Sequence, residues 1–251
     1  MRIEDEGTKR AASSLTVVIP TWCEARRIAD AVRAALEIGP DVIVVDADSP
    51  DGTGSLARAA GARVVRAPRS RGAQLHAGAT AAKGDVILFL HADAKLPREA
   101  RAALDEALLD PLVMGGNFFL RFVPDSFAAR LFTRANDVRR RWLNIYYGDS
   151  GLFIRQAAYT KLGGFRSLPI LEDYELVRRL ERAGRTVYLR RVIMTASARR
   201  FEAAPLRTLL LWTLIQTLYS VFRVSPERLA RYYRDMRGDG QPSQENPDEA
   251  R

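Results

Sequence analysis

A single cysteine, Cys23, among 251 residues excludes an intramolecular disulfide framework and argues against a multi-cysteine zinc site. The chain therefore suits a reducing compartment. Residues 1–14 are polar and charged and hold no apolar stretch of the length a secretory signal needs, so a cytoplasmic setting is expected. No Gly-x-x-x-x-Gly-Lys-Ser/Thr occurs, and no Gly-x-Gly-x-x-Gly follows the first apolar run. P-loop NTPase and dinucleotide-binding readings thereby lose their main support. The longest apolar stretch, residues 206–224, falls at the short end of the roughly 17–25 residues that span a bilayer. Arg207, Gln216 and Arg223 interrupt it, which favours a buried or interface-lying helix, with Pro205 in its first turn and Ser225-Pro226 ending it. No internal repeat is evident.

Positive charge is plentiful: 39 Lys+Arg against 30 Asp+Glu give a formal net charge of +9. Such a balance favours anionic partners, whether nucleotide phosphates, nucleic acid or acidic lipid. The excess is mostly arginine and clustered, at 139–141, 190–191 and 199–200, although arginine richness also tracks a GC-rich genome. A hydrophobic content of 47% is enough for a real core.

Apolar runs at 15–20, 42–45, 64–65 and 86–90 alternate with helix-like stretches at 24–37, 54–60 and 73–82. Parallel strands need crossover connections, so the alternation predicts βαβ units and an α/β fold with a mostly parallel central sheet. Beyond Met114 the pattern becomes mixed: strands at 115–122 and 151–154, a long helix over 126–143, and a helix over 174–183 with arginines on its solvent side. The expected organisation is a flexible N-terminus (1–14), a main domain (15–201), C-terminal helices that could lie on a membrane (202–237) and a disordered tail (238–251).

The run Asp85-Val86-Ile87-Leu88-Phe89-Leu90-His91-Ala92-Asp93 ends a buried strand in a histidine and a carboxylate. In open α/β sheets ligands sit outside the carboxyl ends of the strands, where a carboxylate can hold a hard cation. Neighbouring strand ends bring Glu24, Asp46, Asp48 and Asp51 toward the same crevice. Clustered carboxylates call for a cation or a ligand with hydroxyls. The structural alternatives are that Asp93 caps a helix starting near Pro97 or lies in an ordinary turn, and that Asp51-Gly52 forms a turn. Arg66-Ala67-Pro68-Arg69-Ser70-Arg71-Gly72 leads into a helix and offers guanidiniums and helix-terminal amides to phosphate. His76 reads as a packing or surface residue. Gly148-Asp149 and Leu171-Glu172-Asp173 add carboxylates; Asp173 is placed to act as a general base, yet helix starts favour acids for dipole reasons alone. Arg199-Arg200-Phe201 suits a pyrophosphate or lipid phosphate, or equally a surface ion-pair network.

Taken in order, these pieces resemble an inverting family 2 glycosyltransferase of the GT-A fold. The likeness runs from Val17-Val18-Ile19-Pro20…Glu24 through Val45-Asp46-Ala47-Asp48-Ser49-Pro50-Asp51-Gly52-Thr53 and His91-Ala92-Asp93 to Glu172-Asp173. A closer likeness is to the bacterial radical-SAM/selenodomain-associated transferase 2 subgroup, on Arg71-Gly72-Ala73-Gln74…Ala77-Gly78, Leu88-Phe89-Leu90-His91-Ala92-Asp93, Gly148-Asp149 and Ser197-Ala198-Arg199-Arg200.

The resemblance implies that Pro20, Thr21, Glu24, Asp46 and Asp48, with Arg71, Gly72 and Ala92, hold the nucleoside-diphosphate sugar. It implies a divalent cation, Mn²⁺ or Mg²⁺, on Asp93 with His91 beside it, and Asp173 with Glu172 as the catalytic pair. Gly148, Asp149, Arg200 and Phe201 would meet the acceptor. His91 replaces the first Asp of the usual Asp-x-Asp, so contact with ribose, with metal or with neither stays open there. Ser197 and Phe201 depart from the Gln-x-x-Arg-Trp of processive relatives, which weakens a polymer-synthase reading. The expected acceptor is a lipid or small molecule, reached in the cytoplasm or peripherally at the inner face of the cell membrane, with an anionic membrane surface as a further partner and no nucleic acid. The rivals are a sugar-nucleotide nucleotidyltransferase, which lacks its Gly-rich loop here, and a basic nucleic-acid-binding protein, which lacks any recognisable motif.

Overall fold

The structure is a computed structural model that describes residues 13–202 and 204–237, with side chains at all of these except 200, 201 and 233–237. The tail 238–251 and all but residues 13 and 14 of the expected flexible N-terminus lie outside the described residues. The first half runs β1 (Leu15–Thr21), α1 (Ile28–Leu36), β2 (Asp41–Asp46), α2 (Thr53–Ala59), β3 (Arg63–Arg66), α3 (Arg71–Ala81), β4 (Val86–Phe89) and α4 (Glu99–Leu108). It continues with β5 (Val113–Val123), α5 (Phe127–Leu143), a 3-10 turn (Gly148–Ser150), β6 (Phe153–Arg155), α6 (Gln156–Lys161) and α7 (Glu172–Ala183). β7 (Arg185–Ser197), the four-residue α8 (Arg199–Glu202), α9 (Pro205–Ser220) and α10 (Pro226–Arg237) complete the order.

The strands form one seven-stranded sheet in the order β3-β2-β1-β4-β6-β5-β7. Pairs β1/β2, β1/β4, β2/β3 and β5/β7 are parallel; only β6 runs against its neighbours β4 and β5. The sheet is thus mostly parallel, as the strand–helix alternation predicts.

Residue alternation along each central strand splits the core between the two faces of the sheet. Val17, Ile19, Val42, Val44, Val86 and Leu88 pack on one face, where α1 adds Ile28, Val32 and Ala35 at helical spacing. Val18, Ile43, Val45, Ile87 and Phe89 point to the other, under Leu75 and Ala79 of α3 and Leu176, Val177 and Leu180 of α7. Both faces are apolar because helices cover both.

Four local expectations need correction. The helix predicted from residue 24 begins at Ile28, because Glu24 carbonyl oxygen accepts from both Arg27 N and Ile28 N (2.9 Å each) and closes a turn first. β7, thirteen residues long, has no counterpart among the predicted strands. Its apolar alternation is broken by the exposed Arg190 and Arg191, and there the register with β5 jumps from Phe118↔Leu189 to Phe119↔Ile193. On α7, Arg179 is not a solvent-side residue: it turns inward onto Glu175 and the Leu162 and Gly164 carbonyls. Finally, α9 is not buried, which overturns the buried alternative for residues 206–224, whereas the expectation that it does not span a bilayer holds. Only Ile215 is buried along it, and among the described residues no helix is long and apolar enough to cross a membrane.

Candidate active site

The crevice is built on the carboxyl ends of β1, β2 and β4. Thr21 and Asp46 are register partners at the last pair of β1/β2, with Pro20 opposite Val45 one step earlier. Gln74 of α3, buried, donates through Nε2 to the carbonyls of Thr21 (2.8 Å) and Val45 (3.0 Å), and so stitches the two strand ends together. α3 can lie this close because of Gly78: a Cβ there would stand 2.3 Å from Val18 Cγ1 and 2.8 Å from Val45 Cγ2. The start of α3 is thereby aimed over the crevice, with Arg71 as its first residue. Gly72 is similarly close-packed, since a Cβ would meet the Arg166 carbonyl at 2.9 Å.

The five carboxylates expected at this edge do not converge on one point. Asp46, buried, is saturated locally by Ser49 N (3.2 Å), Ser49 Oγ and Thr21 Oγ1 (3.4 Å). Asp51 accepts from Ala25 N (3.0 Å), Thr53 N (3.1 Å) and Thr53 Oγ1 (2.6 Å), so the turn reading is the right one for it. Asp48, in the left-handed region at φ 59°, pairs with Arg66 at 3.2 Å on the open surface. Beside them Arg69 stacks over the Trp22 ring at 4.1 Å.

Glu24 and Asp93 remain. Burial raises the Glu24 pKa, and the nearby Asp93 and Asp51 charges add to it against the opposing Arg27. Asp93 is half-buried and takes no hydrogen bond or ion pair among the described residues. It does not cap α4, whose N-cap position is Arg98 and carries no side-chain cap. Its loop turns through Ala94 N to His91 carbonyl (3.1 Å) and is then clamped to β7 by the reciprocal Lys95–Thr195 bonds of 2.8 and 2.9 Å. Ala92, between the two polar residues, packs on the core.

No group of three or more His, Cys, Asp or Glu set to hold a metal ion exists among the described residues. Mg²⁺ and Mn²⁺ do not require one: one or two carboxylates plus substrate phosphates suffice. The donor set fits that mode, because Asp93 is uncommitted and Glu24 lies near enough to feel its charge.

Across the crevice stands the acidic pair at the start of α7. Leu171, the N-cap residue, is held at φ 63°, a conformation a leucine adopts only under constraint from its surroundings. This sets both following side chains inward, Glu172 and Asp173 being only 6% and 8% exposed. Asp173 does more than serve the helix start: Oδ1 accepts from the first-turn Tyr174 N (2.7 Å), while Oδ2 accepts from Gly148 N (2.8 Å) outside the helix. A Cβ at Gly148 would crowd that same Oδ2 at 3.3 Å.

Arg71 joins the two sides. Its Nε lies 3.2 Å from Glu172 Oε1, its Nη2 lies 3.9 Å from Asp173 Oδ2, and Nη2 also meets His91 Nε2. Burial, then repulsion from Asp173, pushes the Glu172 pKa up to about 7 despite Arg71.

The turn carrying Gly148 is held by Ser150 Oγ, which donates to the Tyr147 carbonyl (2.7 Å) and accepts from Asn117 Nδ2 (3.1 Å). Asp149 lines a small cavity with the buried Arg140, Asn117 and Tyr146. Arg200 and Phe201 fall in α8, and their side chains lie outside what is described. His76 is a packing residue, bonded through Nδ1 to Tyr159 OH at 2.9 Å.

Two features of the site have no counterpart among the sequence expectations. One is the strand-stitching role of Gln74. The other is α9, which backs the acidic pair: Tyr147 OH donates to Gln216 Oε1 (2.6 Å), and Tyr174 OH lies 2.9 Å from Ser220 Oγ. Gln216, an amide in the middle of a largely apolar run, was the available signal.

The family model described as glycosyl transferase family 2 matches residues 16–162, more than half of the chain. The chain belongs to glycosyltransferase family 2. Among curated proteins the chain is similar to uncharacterized glycosyltransferases of Mycobacterium bovis and Mycobacterium tuberculosis, each 37% identical over 87 residues. That stretch is 34% of this chain, and it spans only 39% of the relatives' length. Among solved structures it resembles glucosyl-3-phosphoglycerate synthase from M. tuberculosis in complex with phosphoglyceric acid, with a TM-score of 0.52, 19% identity, and 74% of this chain and 72% of that one covered. The same enzyme in complex with Mg²⁺ and uridine diphosphate gives 0.50 at 20% identity, covering 74% and 70%. Mannosyl-3-phosphoglycerate synthase from Rubrobacter xylanophilus gives 0.51 at 18% identity, covering 92% and 77%. These likenesses identify the sheet and its helices as the GT-A fold expected of the sequence.

Proposed function

We propose that the glycosyltransferase moves a sugar from a nucleoside-diphosphate sugar to a hydroxyl of a lipid or small-molecule acceptor, with inversion, Asp173 serving as general base and Asp93 as cation ligand. One observation carries the reading: Arg71 ties the strand end bearing His91 and Asp93 to the Glu172–Asp173 pair, so both chemical ends face one crevice. The related synthase, crystallised with Mg²⁺ and uridine diphosphate, supports a diphosphate donor held with a divalent cation. That cation, when bound, withdraws charge from the leaving diphosphate.

The chain's own residues do the rest. Pro20, Thr21, Glu24 and Asp46 are assigned to the base-and-ribose end, where Gln74 fixes the backbone beside the nucleoside. Arg71, at a helix start beside Gly72, offers positive charge to the diphosphate while His91 and Glu172 hold it in place. Gly148 N–H fixes the orientation of the Asp173 carboxylate, which leaves it to take the acceptor proton. Single displacement by a deprotonated hydroxyl gives inversion. Gly148 and Asp149, with Arg200 and Phe201, are assigned to the acceptor end. The single cysteine supports a cytoplasmic setting.

Product analysis tests this. Incubation with a panel of nucleotide sugars should release nucleoside diphosphate and form a glycosylated acceptor. Pyrophosphate release from a nucleoside triphosphate would instead identify a nucleotidyltransferase.

A further inference from the structure

We propose that the outer face of α9 seats this protein on an anionic lipid bilayer. Leu206, Leu210 and Leu214 follow one another at four-residue spacing and therefore share one side of the helix, with Val221 continuing the row. They are 60%, 71%, 48% and 68% exposed. Thr213 and Thr217 lie on the same side, and each hydroxyl donates back into the helix, to the Leu209 and Thr213 carbonyls at 2.8 Å. The face therefore makes little demand on water. Phe222, 68% exposed, extends it past the helix end.

This is not a loosely placed helix. Its other side is anchored: Leu209 and Trp212 pack on the core, the Trp212 ring meets Phe132 of α5 edge-on at 5.6 Å, and Tyr219 packs against Tyr174. Leucines held outward on an anchored helix stay exposed unless something apolar covers them.

Charge selects the occupant. The segment 204–232 carries Arg207, Arg223, Arg228 and Arg231 against a single acid, Glu227, and all five are exposed. A second copy seated on this face would bring two arginine rims together within a dimer of two +9 chains. An anionic headgroup layer complements the rim, while the leucines enter the acyl boundary. The helix is too short and too interrupted to cross, so it lies in the interface.

The seat also reaches the active site. Gln216 and Ser220 hold Tyr147 and Tyr174, the chain neighbours of Gly148 and Asp173. On the transferase reading above, a protein seated in this way works at a membrane surface, which makes a lipid the acceptor class.

Sedimentation of the full chain with sucrose-loaded vesicles tests the seat. Binding is expected to vesicles of phosphatidylcholine with phosphatidylglycerol, weaker binding to phosphatidylcholine alone, and a several-fold loss at high salt. The triple substitution Leu206→Ser, Leu210→Ser and Leu214→Ser leaves the charge unchanged and is expected to weaken partitioning at least about tenfold. Should that variant fail to fold, Leu210→Glu alone reads the same face. No sedimentation with the anionic vesicles, or equal binding by the leucine variants, overturns the proposal. So does a dimer that the substitutions disperse without any vesicle binding, which would assign the face to a second copy. Melting shifts with nucleoside diphosphates on the same protein keep the readings apart: vesicle binding without a donor shift leaves the seat standing and removes the transferase reading.

Discussion

Glu172 and Asp173 are adjacent in sequence and differ in what surrounds them. Asp173 has both oxygens taken by backbone N–H groups, whereas Glu172 has only Arg71 and its own backbone N–H against burial and the Asp173 charge and is pushed up to about 7. Replacing Asp173 with Asn removes the base, so transfer should fall by about 10²–10⁴ with donor KM retained, and because the Asn NH₂ would face one of the two backbone N–H donors the melting temperature should fall as well. A rate near the wild type would remove Asp173 from that role. For Glu172 the linkage has a definite sign. Its folded value, about 7, lies above the ordinary 4.5, so the unfolded chain loses this proton first and stability drains away as pH rises between the two values. Above pH 7 the folded protein carries the whole penalty. Glu172→Gln should therefore melt several degrees above wild type at pH 8 and close to it near pH 4.5, as followed by thermal denaturation at both pH values. Much of this was readable from the sequence as residue types: a carboxylate pair at a helix start, a histidine and aspartate after a strand. The partnerships were not. Arg71 lies 101 positions from Glu172 and Gly148 lies 25 from Asp173, and nothing in one sequence specifies which residues the folding chain brings together.

At the scale of elements, the central strands and α3 were readable because local pattern and burial agree. Val17 and Val18, or Val44 and Val45, are buried on opposite faces, so these runs are apolar throughout and end where the sheet ends. β7 was unreadable for the opposite reason: Arg190 and Arg191 interrupt its alternation at the register jump, and pairing with β5, not local pattern, makes it a strand. α9 was half readable. Its helical nature followed from composition, while its placement depended on Gln216 and Ser220 finding Tyr147 and Tyr174. A methyl group at Gly78 would lie 2.3 Å from Val18 Cγ1, inside packed strands that cannot yield, so Gly78→Ala should cost about 1–3 kcal/mol. Calorimetry should register a fall of about 2–4 °C for each kcal/mol. Because α3 carries Arg71, transfer should weaken with it. An unchanged melting temperature would mean that α3 is held less tightly on β1 and β2.

Over the whole molecule, the sheet collects residues scattered between positions 20 and 173 at one edge, and the positive charge of the chain suits what that edge is proposed to hold. Net charge alone could not choose among nucleic acid, nucleotide and lipid. Membership of family 2 and the crevice geometry together favour a nucleotide sugar at the strand ends, with the arginines beside α9 left for a surface. On the proposed function a nucleoside diphosphate binds this crevice through a divalent cation on Asp93. The most direct measurement is thermal denaturation with a panel of nucleoside diphosphates, with and without Mn²⁺ or Mg²⁺, for the wild type and Asp93→Ala. A ligand that binds only the folded state raises its melting temperature. A nucleoside diphosphate should raise it markedly more when the cation is present, and Asp93→Ala should abolish that increment while folding normally. No shift with any diphosphate, or an equal cation-dependent shift in Asp93→Ala, would contradict the account.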